Sequence, residues 1–587
     1  MNKQKLKKIL LTNLIAGLSG IAWIPTQAAL ERIGDFALLD DQGEFHQLSR
    51  YQHRKAMAIM SYVQDCESMD EMLQDFKALR EQFADQNIAF LLLDPMGLSR
   101  AELAGLNTGF PVLQDEGQLI AEKLQLDQAG AVRLLNPARL SLYYRGSSKD
   151  VQLPATLSSL LTQTITDTVS GSAPASTHNA CTIPFPAKQR HTASPPDYAR
   201  DVAPVIIENC LECHREGGAG PFALDKYVSL LGWSAMIKEV LLNKRMPPAQ
   251  VDPHLQQSGN ARYLPVAQLQ TLVHWIDAGA PRGAVAEDPL EQQASDNLQD
   301  DLQRKDTWLL GDPDFIVDVP ANRIPASGIL DYLYVDIDLP FTEDKWVRAV
   351  QYKAGAPAVL HHLMTFVTAP GEDFWGDERT GAQVSRRFLE SYAPGRTRAT
   401  EYPPGTAILI PRGHKLSMQF HYVSNGQEMF DQTQLALYFA EPGDSATTGH
   451  KLQERLTQAV SAQFTIPAND PDFQVVAEQV FTEDVVITGV RARMNYRGKK
   501  MKFSVEQADG SLRDFFSIPA YNYGWQPHYI LDEPLVLAAG RRVQISGAFD
   551  NSVSNPANPD PDKVVYSGVE SEQEMFTGYL SYHRLMD

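Results

Sequence analysis

Cys210-Leu211-Glu212-Cys213-His214 is the stretch from which the rest of this chain can be placed. Two thiols separated by two residues, with an imidazole directly after the second, form the C-x-x-C-H pattern that serves covalent attachment of a c-type haem. The thiols add to the haem vinyl groups, and the adjacent His is set under the iron as its first axial ligand. Around the motif, residues 197–284 read as a compact, mostly helical segment. Its last helix carries Val266, Leu269, Leu272, Val273 and Ile276 on one face, with Gly279 and Pro281 as stop signals. The sixth ligand is assigned to Met246. Pro247 and Pro248 end a helix that begins near Leu231 and leave Met246 in a turn where its thioether can approach iron. Met236 is the rival, but mid-helix on an apolar face it reads as core.

Export is expected from the first residues. Lys3, Lys5, Lys7 and Lys8 precede an apolar run from Ile9 to Ile24, and Thr26-Gln27-Ala28 offers a small-residue cleavage site. That is the layout of a signal peptide over 1–28, and it points to the periplasm, where c-type haem is assembled. No later segment is long and apolar enough to span a bilayer, so no membrane span is expected after cleavage. The formal charge of −20 argues against nucleic acid or anionic lipid as the main partner. A basic electron-transfer protein, a small-molecule reductant or an organic or peptide substrate suits it better. Of the four cysteines, Cys66 and Cys181 lie outside the haem motif, and an oxidising compartment permits them to pair.

The chain of 587 residues divides into several units. Residues 31–163 alternate strands and helices. Ala56–Val63 reads as a buried strand, followed by a helix with Met69, Met72, Leu73, Phe76, Leu79 and Phe83 on one face. Ser68 and Glu71 have the spacing of a capping box at its start. Strands are expected at Ile88–Leu93, Pro111–Leu113, Val132–Leu135 and Leu140–Tyr144, with a helix near Gln118–Leu126. Residues 164–196 read as a Ser/Thr/Pro/Ala-rich linker. Residues 285–307, acidic and Gln-rich, read as a second linker or an exposed helix. From Trp308 onward, short alternating strands broken by Pro and Gly predict two β-sandwich (jelly-roll-like) lobes, 308–455 and 456–587.

Further motifs carry a resemblance. Asp201-Val202-Ala203-Pro204, Arg245-Met246-Pro247-Pro248 and Trp275-Ile276-Asp277-Ala278-Gly279-Ala280-Pro281 resemble bacterial multidomain cytochromes, which implies a small all-α cytochrome c domain at 197–284. Residues from about Gly311 to Tyr582 resemble the copper type II ascorbate-dependent monooxygenases, typified by peptidylglycine α-hydroxylating monooxygenase. Here the motifs are His361-His362, Phe420-His421-Tyr422, Tyr402-Pro403-Pro404-Gly405 and Asn555-Pro556-Ala557-Asn558-Pro559-Asp560-Pro561. The resemblance implies that His361, His362 and His421 hold the first copper. Neighbours on a strand point to opposite faces, so His361 and His362 can share one metal only if the strand is twisted or bulged.

The second copper site departs from the family. Bacterial relatives write His-Met-His followed by Arg-Gly, whereas this chain reads Arg493-Met494-Asn495-Tyr496-Arg497-Gly498. Met575 still matches the family's Met ligand, while both histidines are replaced. Met494 with Met575 is a conceivable soft cuprous pair, and His414 and His528 are spare histidines. In the family this second copper attacks the substrate C–H bond, so ordinary hydroxylation is in doubt. The order of elements around Cys66 resembles thioredoxin-like and peroxiredoxin-like domains. Three residues after Cys66 stands Met69, so no dithiol exists, and Asp65 and Glu67 oppose a thiolate. A structural or docking domain, with a Cys66–Cys181 disulfide, is favoured over a live thiol.

These readings lead to an oxidoreductase in which one covalent haem c exchanges electrons with a three-histidine copper, supporting copper-dependent oxidation of an organic or peptide substrate. The alternative is a binding, assembly or copper-handling protein with a degenerate monooxygenase module.

Overall fold

The computed structural model describes residues 30–585, leaving out 163–164, 166–167, 172–180, 217, 219, 249–250, 256–257, 259–260, 262–263, 305–307, 329, 373–386, 393–398, 404, 441–451, 454, 462 and 569–571. The expected signal peptide over 1–28 lies outside the described residues.

The N-terminal unit is built from β1 (Ala56–Ser61), α1 (Met69–Gln82), β2 (Ile88–Asp94), β3 (Val112–Gln114), β4 (Ala131–Asn136), β5 (Ser141–Ser147) and α2 (Gln152–Thr162). The sheet runs β5-β4-β1-β2-β3, with Glu31–Arg32 beyond β5. The first three strands are mutually parallel, and β4 and β5 form an antiparallel hairpin beside β1. A β-α-β unit continued by a hairpin and a helix is a thioredoxin-like arrangement. β1 is buried throughout, as its unbroken apolar run requires for a central strand covered on both faces. The capping box expected at Ser68 is not formed. Ser68 is the N-cap of α1 without a side-chain capping bond, and Glu71 instead pairs with Lys149 at 2.6 Å. The capping box of this unit lies at Ser99 and Glu102.

Within the expected linker 164–196, the part from Cys181 onward does more than link. Cys181 is disulfide-bonded to Cys66. Its carbonyl accepts from Ala129 N–H at 2.9 Å, while Ile183 N–H donates to Asp127 at 2.8 Å. These bonds pin the segment against the N-terminal unit, and it continues into α3 (Pro186–Ala193). Composition signals turns but not such long-range partners.

The helical unit comprises α4 (Ala203–Asn209), α5 (Tyr227–Leu242) and α6 (Val266–Asp277) around Trp275, which is 1% exposed. The segment read as linker or helix is a helix, α7 (Pro289–Arg304), anchored by buried Leu290. A buried hydrogen bond, His274 Nε2 to Glu122 Oε2 at 2.9 Å, ties this unit to the N-terminal one.

The remainder is β-structure in two lobes. In the first, β6 (Phe315–Asp318), β8 (Lys345–Lys353), β11 (Thr406–Ile410) and β13 (Gln434–Phe439) form one sheet, and β7 (Leu333–Asp338), β9 (Leu360–Thr368), β10 (Arg387–Tyr392) and β12 (Lys415–Tyr422) the other. Val347, Val350 and Leu437 of one sheet share a core with Leu363, Met418 and Phe420 of the other. The second lobe pairs the sheet of β14 (Arg455–Ser461), β16 (Val485–Arg493), β19 (Tyr529–Leu537) and β21 (Phe576–Arg584) with that of β15 (Phe473–Val480), β17 (Gly498–Glu506), β18 (Leu512–Ile518) and β20 (Arg542–Phe549). Alternating inward side chains fill each sandwich. No helix among the described residues is long and apolar enough to cross a membrane.

Candidate haem and copper sites

α4 runs directly into the C-x-x-C-H motif. Cys213 N–H and His214 N–H both donate to the Cys210 carbonyl, at 3.2 and 2.9 Å, closing a tight turn. The turn sets Cys210, Cys213 and His214 on the wall of a mainly apolar cavity of about 470 Å³, which Met246 also lines. Burial pushes the Cys210 thiol up to about 12, so it stays neutral. His214 Nδ1 lies 3.1 Å from the Phe222 carbonyl. Only an N–H can donate there, so Nδ1 carries the proton and Nε2 keeps its lone pair for a metal. Gly220 is required beside it, because a Cβ would stand 2.8 Å from His214 Nδ1. Two thiols, an imidazole with an open Nε2 and a thioether around an apolar cavity fit a covalently held haem.

Met236 is not the core residue its helix position suggested. It is 44% exposed and lines the same cavity. The periodicity of α5 is shallow, with apolar residues around much of its circumference, so face alone does not separate core from cavity wall.

The three histidines converge. β9 is bulged between Leu360 and His362, the irregularity needed for both histidines of the pair to reach one point. His421 on β12 is the register partner of His362. One donor atom from each of His361, His362 and His421 lies within 4.8 Å of the others. Burial, with the positive charge of Arg493 adding to it, pushes His361 down to about 4. Burial, His361 and Arg493 together push His421 to about 3, and His362 moves in the same direction. All three are therefore neutral near pH 7, the form that ligates. Nε2 of His362 is buried without a hydrogen-bond partner among the described residues. Three neutral imidazoles with an orphaned nitrogen fit a copper ion.

Sequence reasoning missed two aromatic neighbours. Tyr332 packs against His362 and His421, with ring centroids 5.9 and 4.9 Å away. Tyr523, from the second lobe, stacks on His361 at 5.3 Å, and its hydroxyl lies 3.2 Å from His421 Nδ1. The aromatic cluster Tyr521-Asn522-Tyr523-Gly524-Trp525 in a loop was the available signal.

The stretch around Arg493 and Met575, where the resemblance implied a second copper, is organised differently. Arg493, 2% exposed, donates to the Met364 Sδ at 2.7 Å and to Gln419 Oε1 at 3.3 Å. Asn495 Nδ2 donates to the Gln573 carbonyl at 2.8 Å. Backbone N–H groups of Asn495 and Arg497 both donate to Glu574, which burial pushes up to about 7. Met494 belongs to the core of the second lobe, and Met575 is buried just before β21. His414 and His528 lie apart from the three-histidine cluster, facing Arg412 O and Ser581 Oγ. Among the described residues, the three histidines are the one group of His, Cys, Asp and Glu side chains arranged to hold a metal.

No family model matches the chain, and no curated protein does. Solved structures similar to part of it include a hypothetical protein from Sinorhizobium meliloti, at 20% identity over 27% of this chain and 93% of that one, with a TM-score of 0.22. The pneumococcal exposed lipoprotein thioredoxin from Streptococcus pneumoniae is 18% identical over 19% of this chain and 85% of its own, with a TM-score of 0.17. Peroxidoxin from Mycobacterium tuberculosis is 18% identical over 23% of this chain and 96% of its own, with a TM-score of 0.20.

Proposed function

We propose that the chain is an exported, periplasmic haem–copper redox protein. Cys210, Cys213 and His214 hold one covalent c-type haem, with Met246 as sixth ligand, and His361, His362 and His421 hold one copper. The observation that carries this reading is the convergence of the three histidines, with donors within 4.8 Å, in a chain that also presents both motif thiols and His214 to one apolar cavity. When bound, the haem supplies single electrons inside the molecule in place of a diffusible reductant such as ascorbate. Neutral imidazoles suit a metal that moves between cuprous and cupric states. The external partner is a basic redox protein or small reductant, matched to the charge of −20.

Burial of Arg493 and Asn495 in hydrogen bonds favours one copper over two. Electron transfer, or oxidation at a single copper, is therefore preferred to two-copper hydroxylation. The same observation favours the second reading, a binding or copper-handling protein, which predicts readily exchangeable metal. Dialysis against a chelator separates the two. Under the proposal, the protein keeps its copper and His421→Ala loses it, both with an intact haem spectrum. A wild type that gives up its copper, or that carries no haem, overturns the proposal.

A further inference from the structure

We propose that the loop Asn522–Trp525 of the second lobe is the joint through which electrons pass between the haem cavity and the copper cluster. This deepens, and rests on, the haem–copper reading. Asn522, Gly524 and Trp525 line the cavity that holds Cys210, Cys213 and His214. Tyr523, between them in sequence, touches two of the three copper histidines: His421 through its hydroxyl at 3.2 Å and His361 by ring stacking at 5.3 Å. One residue thus contacts the cluster while its immediate neighbours wall the cavity.

The loop is held in place rather than hanging free. Asn522 Oδ1 accepts from Gly524 N–H at 2.9 Å, the Asn522 carbonyl from Trp525 N–H at 3.0 Å, and the Tyr523 carbonyl from Gln526 Nε2 at 2.9 Å. The Tyr523 ring also packs on Tyr496 at 4.4 Å. Covalent and hydrogen-bonded links couple two redox centres better than a gap of the same length, and a rigid link costs little reorganisation.

A second observation points to the haem side. Trp525 Nε1 is buried without a hydrogen-bond partner among the described residues, although the indole lines the cavity. A buried donor without an acceptor is costly, so an acceptor in the cavity is called for. Haem carries two carboxylates at one edge, and either supplies that acceptor. Trp525 is thereby a binding residue for the haem edge, and Tyr523 a positioning residue for His421 and His361. The step itself is a one-electron exchange. The donor metal is oxidised by one, the acceptor metal is reduced by one, and no bond or proton is transferred.

The test uses the full chain matured with haem and copper, as wild type, Tyr523→Phe and Trp525→Phe. Oxidised protein is mixed rapidly with less than one equivalent of dithionite. The haem absorption band and the cupric electron paramagnetic resonance signal are then followed together. Tyr523→Phe is expected to alter the cupric spectrum, leave the haem spectrum unchanged and slow the exchange by about tenfold or more. Trp525→Phe is expected to alter the haem spectrum, leave the cupric spectrum unchanged and slow the exchange as well. A wild-type rate in either variant overturns the proposal while leaving the haem–copper reading intact. Wild-type protein lacking haem or copper overturns that reading itself.

Discussion

The Arg493 guanidinium meets the Met364 Sδ at 2.7 Å, across the interface between the two β-sandwich lobes. The guanidinium is a fixed cation, and it bears on the three histidines. Removing it relieves repulsion on cupric copper more than on cuprous. Arg493→Met is therefore expected to lower the copper midpoint potential. At an effective dielectric of ~20 a unit charge acts with about 4 kcal/mol at ~4 Å and proportionally less further off, so an effect on the order of 1 kcal/mol or more is expected. A redox titration followed by the cupric resonance signal reads it, and an unchanged potential contradicts the assignment.

Met246 and Met236 both line the cavity beside Cys210, Cys213 and His214, and substitution separates them. Met246→Ala is expected to remove the thioether ligand, lowering the haem potential and changing the visible spectrum. Met236→Ala is expected to leave both in place. The reverse pattern moves the sixth ligand to Met236.

The disulfide between Cys66 and Cys181 closes a long loop and holds the 181–183 segment on the N-terminal unit. Replacing both cysteines by Ser is expected to lower the stability of this unit by about 2–5 kcal/mol. Chemical denaturation measures it, and haem and copper content are expected to stay unchanged. A loss of bound metal in that variant means the N-terminal unit does more than support the fold.

Asp115 supplies the pH dependence. Burial pushes its carboxyl up to about 7, against opposing hydrogen bonds from the Ala121 and Ile120 N–H groups. The folded value lies above the unfolded one of ~3.9. Its contribution to stability is full below the unfolded value and is lost as pH rises to about 7. Wild-type stability is thus expected to fall relative to Asp115→Asn between pH ~4 and about 7. Denaturation curves across that range check the sign, and a constant difference contradicts it.

Much of this architecture was legible because its signals are local. The apolar run at Ala56–Ser61, the helical face from Met69 to Leu79 and the alternating strands after Trp308 each follow from periodicity within a dozen residues. The bulge at His361 was also within reach, since two adjacent histidines cannot otherwise share a metal. What escaped depends on contacts distant in sequence. Ser68 and Glu71 have the spacing of a capping box, yet Lys149 draws Glu71 away. The 181–183 segment has a linker's composition but is fastened by Cys66, Asp127 and Ala129. Tyr523 carries no ligand motif, and it reaches the three-histidine cluster only because the two lobes pack together.

The copper-to-iron ratio of protein matured in a periplasm with haem assembly and added copper tests the central claim most directly, because haem iron counts the molecules. One copper per iron is the expected result, matching the single three-histidine cluster among the described residues. A ratio near two would mean that new ligands hold a second copper near Arg493 and Met575, and hydroxylation would lead again. Essentially no copper would contradict the account and leave a cytochrome joined to binding lobes.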